Sequence, residues 1–373
     1  GSVLYTKGVN VVEGKTMAIK VAIAGVGNCA SAFVQGLHYY RNCRTKSIIG
    51  LKNAIIAGYE PKNVEIVAAF DIDSRKVNKD LSQAIFSKPN NTTKFAEVPE
   101  IGVPVKKGQV LDGVGNYLKG IVKIDSSPSA DVAADLSRSG AEILIDLLPS
   151  GAVKASQWYA EQAMKAGCAF VNATPVSLAS DPSWSERFRK AGLPIVGDDL
   201  MDQVGATALH KTLIRLLSEA GVRISKTYQL DVGGGAESLN TLERSRDTKR
   251  IVKTTTVKSV LPYEAEVVAG TTDYVDFLQN RRDSYMWLSG FYFGRTPLEI
   301  ELRLSTVDGP NAGSVLLDVV RAVKVALENG DKGALDGLSA YAFKRPPKMR
   351  PFEEAARLLE DFLKQRSLTS VTI

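Results

Sequence analysis

Five short, uninterrupted apolar runs constrain this chain most: Lys20–Ala24, Glu65–Phe70, Ile143–Leu148, Ala169–Asn172 and Pro194–Gly197. A half-exposed strand alternates polar and apolar residues, whereas runs this continuous read as strands buried on both faces of a parallel sheet. The stretches between them, such as Gln157–Ala166, have helical spacing. This alternation specifies a doubly wound α/β fold. After Met201 the pattern changes. Ala206–Ala220 reads as an amphipathic helix, and "TYQLDVGGG" and "PLEIELRLSTVD" read as strands. Val222–Val307 is therefore expected to form a second, mostly β (α+β) unit. Ala312–Asn329 is again a helix with apolar residues at three-to-four spacing. The last helix, Phe352–Gln365, carries Leu358, Leu359 and Phe362 on one side, and the chain is expected to return to the first sheet. The expected division is a loose tail at 1–18, a first domain of 19–205 and 311–373, and a second domain of 206–310.

The first run leads into Gly25-x-Gly27-x-x-Ala30 and then into a helical pattern. A dinucleotide fold needs glycine where the backbone turns tightly and where it approaches a pyrophosphate. The third position needs only a small residue, which Ala30 supplies. The pyrophosphate is expected over the helix N-terminus near Asn28–Ser31, where free N–H groups point at it. The next strand ends in Asp71, placed to accept from a ribose hydroxyl, which favours NAD; the nearby Arg75 keeps NADP open. The gap from glycines to acid exceeds the usual ~20 residues, so Arg41–Asn63 is expected to loop out. The same pattern also fits a glycine-rich turn of a flavodoxin-like fold. Cys29 within the turn reads as a small packing residue or a reactive thiol.

Composition narrows the function. The 373 residues suffice for two domains, and no apolar run approaches the ~20 residues of a membrane span. No secretory signal is evident, and Gly1-Ser2 looks like a cloning remnant. Three widely spaced cysteines (Cys29, Cys43, Cys168) argue against a disulfide framework and for a cytoplasmic setting. With two histidines, His38 and His210, and no Cys/His cluster, no zinc site and no metal-ligating residue is expected, while a hard cation shared by carboxylates and a substrate phosphate stays open. A net charge of +6 without a dense basic stripe speaks against nucleic acid and leaves room for a small anionic substrate.

The blocks "VGNCASAFVQG", "AAFDIDSRKV", "FVNATPVSLASDPSW", "IVGDDLMDQVGAT", "KRIVK" and "SAYAFKRPP" together resemble the myo-inositol-1-phosphate synthases, in particular the short actinobacterial form. The resemblance runs from about Lys20 to about Pro347. It implies a Rossmann domain interrupted by a catalytic and oligomerisation domain, a homotetramer, and NAD as cofactor. It also implies a redox-neutral cyclisation of a hexose 6-phosphate: C5 is oxidised, C6 enolised and closed onto C1, and C5 reduced again. Cations are needed to stabilise the enolate and alkoxide and to hold the phosphate.

Lys249 and Lys253 are four apart, so on a helix they share a face. Read alone they are a solvated basic face; the resemblance makes them the family's paired lysines. Two adjacent ammonium groups would depress each other and leave one able to move a proton. Lys344 matches a further family lysine at the sugar, and Asp308 the acid near the nicotinamide amide. Asp198 and Asp199 fall at a strand's carboxyl end, where ligands bind in such sheets. Ser150, Asn172, Thr174 and Pro175 follow strand ends and either line the cofactor crevice or serve as ordinary turns. Four departures stand out. The family's Gly-Gly-Asn-x-Asp-Phe is Gly233-Gly234-Gly235-Ala236-Glu237-Ser238, and the lysine after its Asp-Asp pair is Met201, followed by Asp202. A further lysine is Arg282 (Arg281 if the alignment slips), and a serine is Gly309. Met201, Gly235, Glu237 and Asn240 are thus expected at the substrate. The departures raise the alternative of fructose 6-phosphate closing to a five-membered ring in a carbocyclic natural-product pathway. A net NAD dehydrogenase and a non-catalytic NAD sensor are readings of other classes.

Overall fold

The computed structural model describes residues 18–41, 48–202, 204–350 and 352–369. The expected tail, apart from its last residue, and Cys43 lie outside the described residues, as does part of the Arg41–Asn63 insertion.

The strands in chain order are β1 (Ile19–Ala24), β2 (Val64–Asp71), β3 (Val105–Lys107), β4 (Ile143–Asp146), β5 (Ala169–Asn172), β6 (Pro194–Val196), β7 (Arg223–Gly233), β8 (Glu266–Tyr274), β9 (Arg281–Phe291), β10 (Pro297–Val307) and β11 (Gly333–Ala334). The helices are α1 (Asn28–Tyr39), α2 (Leu81–Ala84), α3 (Val132–Ser139), α4 (Val153–Ala166), α5 (Pro182–Lys190), α6 (Ala206–Glu219), α7 (Ala236–Arg244), α8 (Arg246–Lys258), α9 (Asp308–Glu328), α10 (Asp336–Ala342) and α11 (Phe352–Thr369).

Seven strands form one parallel sheet in the order β11-β6-β5-β4-β1-β2-β3. The five apolar runs are its five inner strands. Of β1 only Lys20 is exposed, and β4 and β5 are buried throughout. Separate apolar cores cover the two faces, one including Ile23, Phe33, Ile145 and Leu316, the other Phe70, Leu144, Phe170 and Phe188. The order reverses between β1 and β4, the switch point at which ligands bind in such sheets. There Gly25 turns at φ +91°, and a Cβ on it would lie 2.7 Å from the Leu147 carbonyl oxygen. Only glycine fits this conformation and this approach.

The second sheet is mixed, in the order β10-β9-β7-β8, with β7 parallel to β8 and antiparallel to β9. Its own small core joins Ile214 of α6, Val257 of α8 and Ile224, Ala269 and Leu288 of the strands. The chain then reaches the first sheet again through one continuous helix. α9 starts at Asp308, directly after β10, and packs its buried face against α1 and against β1 and β4 to β6. The edge strands β3 and β11, of three and two residues, carry no signal in the sequence, being too short to show a period.

One buried cation ties this return to the first sheet. Arg321 of α9 is fully buried, and its guanidinium donates to the carbonyls of Asn53, Ala54 and Tyr59 and to Asp318 at 2.9 Å. Replacing one partner of such a pair leaves an uncompensated buried charge. Arg321→Met should therefore cost about 3–5 kcal/mol in urea unfolding, a loss an exposed-arginine variant such as Arg187→Met should not show.

Candidate functional site

The glycine loop presents a cradle. Gly27 caps α1 without a side-chain cap bond, and a Cβ on it would meet nothing within 4 Å. The first in-helix acceptor is the Gly27 carbonyl, taken by Ser31, so the N–H groups of Asn28, Cys29 and Ala30 have no helical partner. Free N–H groups behind open space are what a pyrophosphate requires. Asn28 holds the neighbouring loop instead of facing outward: its Oδ1 accepts from the N–H of Asn91 and Thr92, and its Nδ2 donates to Asn91. Asp71, at the end of β2, stands beside the loop and accepts from Val26, Ile72 and Asp73 N–H at 2.7 to 2.9 Å. Three donors leave a carboxylate room for one more, as a ribose hydroxyl would need. Arg75 is engaged with Asp73 and the Ile121 carbonyl, which turns it away from a 2′-phosphate. Lys76, which the sequence reading missed, is buried under the loop and donates to the Val26 carbonyl at 2.8 Å.

Between the two sheets lies a polar pocket. Met201, Asp202, Lys253, Arg282 and Lys344 line it, with Asp231 and Ser284. Four cations here each hold a carboxylate. Lys253 Nζ lies 2.6 Å from Asp231, Lys249 2.7 Å from Glu237, Lys344 3.1 Å from Asp199 and Arg282 2.7 Å from Asp308. Lys344 arrives through a short backbone ladder. Met201 N donates to the Ala342 carbonyl, Lys344 N to Asp199 and Arg345 N to Asp198, so residues 198–201 and 342–345 run side by side. Asp199 Oδ2 and Arg282 Nε have no hydrogen-bond partner among the described residues, and unpaired buried polar atoms of this kind mark a site built for a ligand.

α8 places Lys249 and Lys253 on neighbouring turns, and the groups that act most strongly on Lys253 are others. Burial lowers Lys253 most, with Arg282 and Lys344 adding to it, while Asp231 opposes; these outrank Lys249 as causes. Each ammonium has its own carboxylate, so the pair does not act as two bare charges. Burial pushes Asp231 up, but Lys253 and Arg282 outweigh it and hold the carboxyl far below its ordinary value. Gln229 extends the network: its Nε2 donates to Asp231 at 3.0 Å, and its Oε1 faces His210 Nδ1 at 3.3 Å. Burial lowers His210 to about 4, so it is neutral. Asp231, Gln229 and Ser284 were missed by the sequence reading; Asp231 stands in "QLDVGGG", but only the pairing of β7 with β9 brings it beside Ser284.

The remaining expected residues divide. Glu237 joins the glycine loop side to α8, accepting from the Ser150 hydroxyl and from Lys249. Asn240 donates to the Ser150 carbonyl. Gly235 caps α7, and a Cβ there would lie 3.6 Å from Asn28 Nδ2, nearer the glycine loop than the lysines. Asp198 does not face the pocket. Asn172, the N–H groups of Leu178, Ala179 and Ser180, and the Ser180 hydroxyl all donate to it, so it fastens the loop after β5. Thr174 and Pro175 are buried in that loop, with Thr174 Oγ1 donating to Asn172. Gly309 is explained by packing: a Cβ would lie 2.7 Å from Thr92 Oγ1 and 2.9 Å from the Asn28 carbonyl.

Cys29 joins loop and pocket. Burial, then Asp308, Asp202 and Glu237, push its thiol up to about 12. That removes the reactive-thiol reading, because the thiolate is the nucleophile. Iodoacetamide at pH 7.5 should alkylate Cys29 at least about 100-fold more slowly in the native protein than in guanidinium, read by peptide mass spectrometry.

A family model for myo-inositol-1-phosphate synthase matches residues 205–309. An inositol-3-phosphate synthase of Mycolicibacterium smegmatis is 43% identical over 354 residues, covering 92% of this chain and 98% of that protein. One of Mycobacterium tuberculosis is 43% identical over 350 residues, covering 92% and 95%. Among solved structures, that of Ari2 superimposes with a TM-score of 0.78 at 30% identity, covering 94% of this chain and 99% of that one. An inositol-3-phosphate synthase of Caenorhabditis elegans shares the fold at a TM-score of 0.73 and 14% identity, covering 95% and 86%. With 43% identity to such synthases over nearly its whole length, the chain belongs to the myo-inositol-1-phosphate synthase family.

Proposed function

We propose that this chain is an isomerase that cyclises glucose 6-phosphate to an inositol phosphate, with NAD reduced and reoxidised within one turnover. The observation that carries this reading is the convergence of three lysines and an arginine, each on a carboxylate, beside an open glycine loop. When bound, NAD supplies a hydride acceptor that returns the hydride before product leaves. Gly25, Gly27 and the N–H groups of Asn28, Cys29 and Ala30 would hold its pyrophosphate, and Asp71 its ribose. Asp308 and Ser150, at the near ends of α9 and β4, would stand toward the nicotinamide.

The protein's part is charge and proton handling. Arg282 keeps its charge at any working pH and serves electrostatic stabilisation, not proton transfer. Lys253 is the better proton carrier, since burial favours its neutral amine and Asp231 can hold the ammonium once formed. Lys344 and Lys249 would orient the sugar and its phosphate. The exposed Tyr228, Leu230 and Tyr285 on the open face of the second sheet would be covered in the homotetramer that the family resemblance implies. A net dehydrogenase would also use the loop, but it needs neither an enolate nor four paired cations.

A second reading has its own support: Met201 and Arg282, two of the positions that leave the family pattern, line one pocket. Closure of fructose 6-phosphate to a five-membered cyclitol phosphate would use the same groups. Incubation with NAD and each sugar, followed by phosphorus NMR and mass spectrometry after dephosphorylation, decides between them. Inositol from glucose 6-phosphate alone is the expected result; a cyclopentane polyol from fructose 6-phosphate would replace it, and steady NADH accumulation would remove both. Lys249→Ala and Lys253→Ala should each lower turnover at least about 100-fold while NAD binding, read by fluorescence, persists. Because Lys253 acts as the neutral amine and is lowered, kcat should rise with pH below the ordinary lysine range. Lys253→Arg should abolish that limb.

A further inference from the structure

Counted with the ion-pair partners behind its walls, the charged network around the pocket holds one carboxyl more than it holds cations. Glu237, Asp231, Asp199 and Asp308 each have a cation of their own. Asp202 lines the same pocket beside Lys253, Arg282 and Lys344, and its carboxylate makes no hydrogen bond to another described residue. It lies just before α6, whose cap residue Gly205 provides no side chain; a Cβ on Gly205 would come within 2.7 Å of Asp202 Cβ. With every group ionised, four cations face five carboxylates, and the site carries one negative charge in excess. A phosphate monoester brings about −1.5 to −2 more near neutral pH. Two unscreened negative groups in one water-poor pocket cannot both stay ionised without a large penalty.

We propose that Asp202 is a specificity-determining residue that carries a proton whenever a phosphorylated substrate fills the pocket, making substrate binding proton-linked. The inference rests on the sugar-phosphate reading given above. The proton comes from solvent and returns to it when product leaves, and no bond of the substrate is made or broken in the step. Protonated, Asp202 donates its O–H to a phosphate or hydroxyl oxygen; ionised, it repels the phosphate. The groups that face it agree. Burial raises Asp202 and Asp308 adds to this, while Lys344, Arg282 and Lys253 oppose. Cys29 stands within range with its thiol protonated, and Lys211, Arg215 and Glu219 of α6, with Lys52, line the groove on the other side of Asp202. None of the three opposing cations is free to neutralise it, since each is committed to another carboxylate. Met201, at the place of a family lysine, offers no charge.

Calorimetric titration tests this. Glucose 6-phosphate and fructose 6-phosphate are titrated into NADH-loaded protein, where oxidation cannot start, in two buffers of different ionisation enthalpy from pH 6 to 8.5. Wild type should take up as much as one proton more per sugar than Asp202→Asn, and its Kd should weaken with rising pH. Asp202→Asn should bind about tenfold or more tightly than wild type at pH 8.5, with a flatter profile. The second ionisation of the sugar phosphate itself, near pH ~6, is common to both proteins and cancels in the comparison. Asp202→Ser, a smaller neutral residue, should behave as Asp202→Asn does and guards against a local folding defect in either variant. Equal proton uptake and parallel pH profiles in wild type and both variants would overturn the role of Asp202 alone. Failure of wild type to bind either sugar would overturn the substrate reading and this inference with it.

Discussion

Everything at the seam between the two sheets depends on matching buried cations to carboxylates. A buried ion stripped of its partner is far more costly than the pair is favourable. Lys253 is 5% exposed and Asp231 2% exposed, so neither can turn to water if the other is lost. The partners come from remote parts of the chain: α8 against β7, α8 against α7, the segment after α10 against the segment after β6, and β9 against the start of α9. Three of the pairs fix the walls within one unit or the other, and Arg282–Asp308 joins the second sheet to the helix that packs on the first. They also keep positive charge ready inside the pocket, where it is worth more than at a surface because little solvent screens it.

The parallel sheet was legible because its strands are buried on both faces, and such burial writes itself as continuous apolar runs. Ala169–Asn172 matched β5 at both ends, and Ala206–Ala220 missed α6 by one residue. The glycine loop was legible for a related reason: Gly25 answers to two backbone constraints that no other residue meets. The edge strands were not legible, since Gly333–Ala334 is too short to carry a pattern and pairs only because β6 is there. Site chemistry was legible for the residues that carry the family pattern and not for their partners. Lys253 could be named from the family pattern it shares with Lys249, but Asp231, twenty-two residues upstream, becomes its partner only when β7 and α8 pack together. Asp198 shows the converse: position at a strand end suggested a ligand, yet five donors from its own neighbourhood already satisfy it.

The departures from the family pattern separate once packing is considered. Gly309 belongs to the interior, because its backbone lies against Thr92 and Asn28 and leaves no room for a larger residue. Glu237 keeps a carboxylate on Lys249 while its longer side chain also reaches Ser150. Arg282 is different in kind. Its pairing with Asp308 keeps a planar, permanently charged group where a lysine could have titrated. Met201 removes a second titratable group from the same wall. The chain thus has fewer amines at these positions, and beside them stands Asp202, a carboxyl with no cation of its own among the described residues. On the proposed function, proton movement in this pocket falls to Lys253 and to Asp202, while Arg282 supplies charge that no pH change can remove.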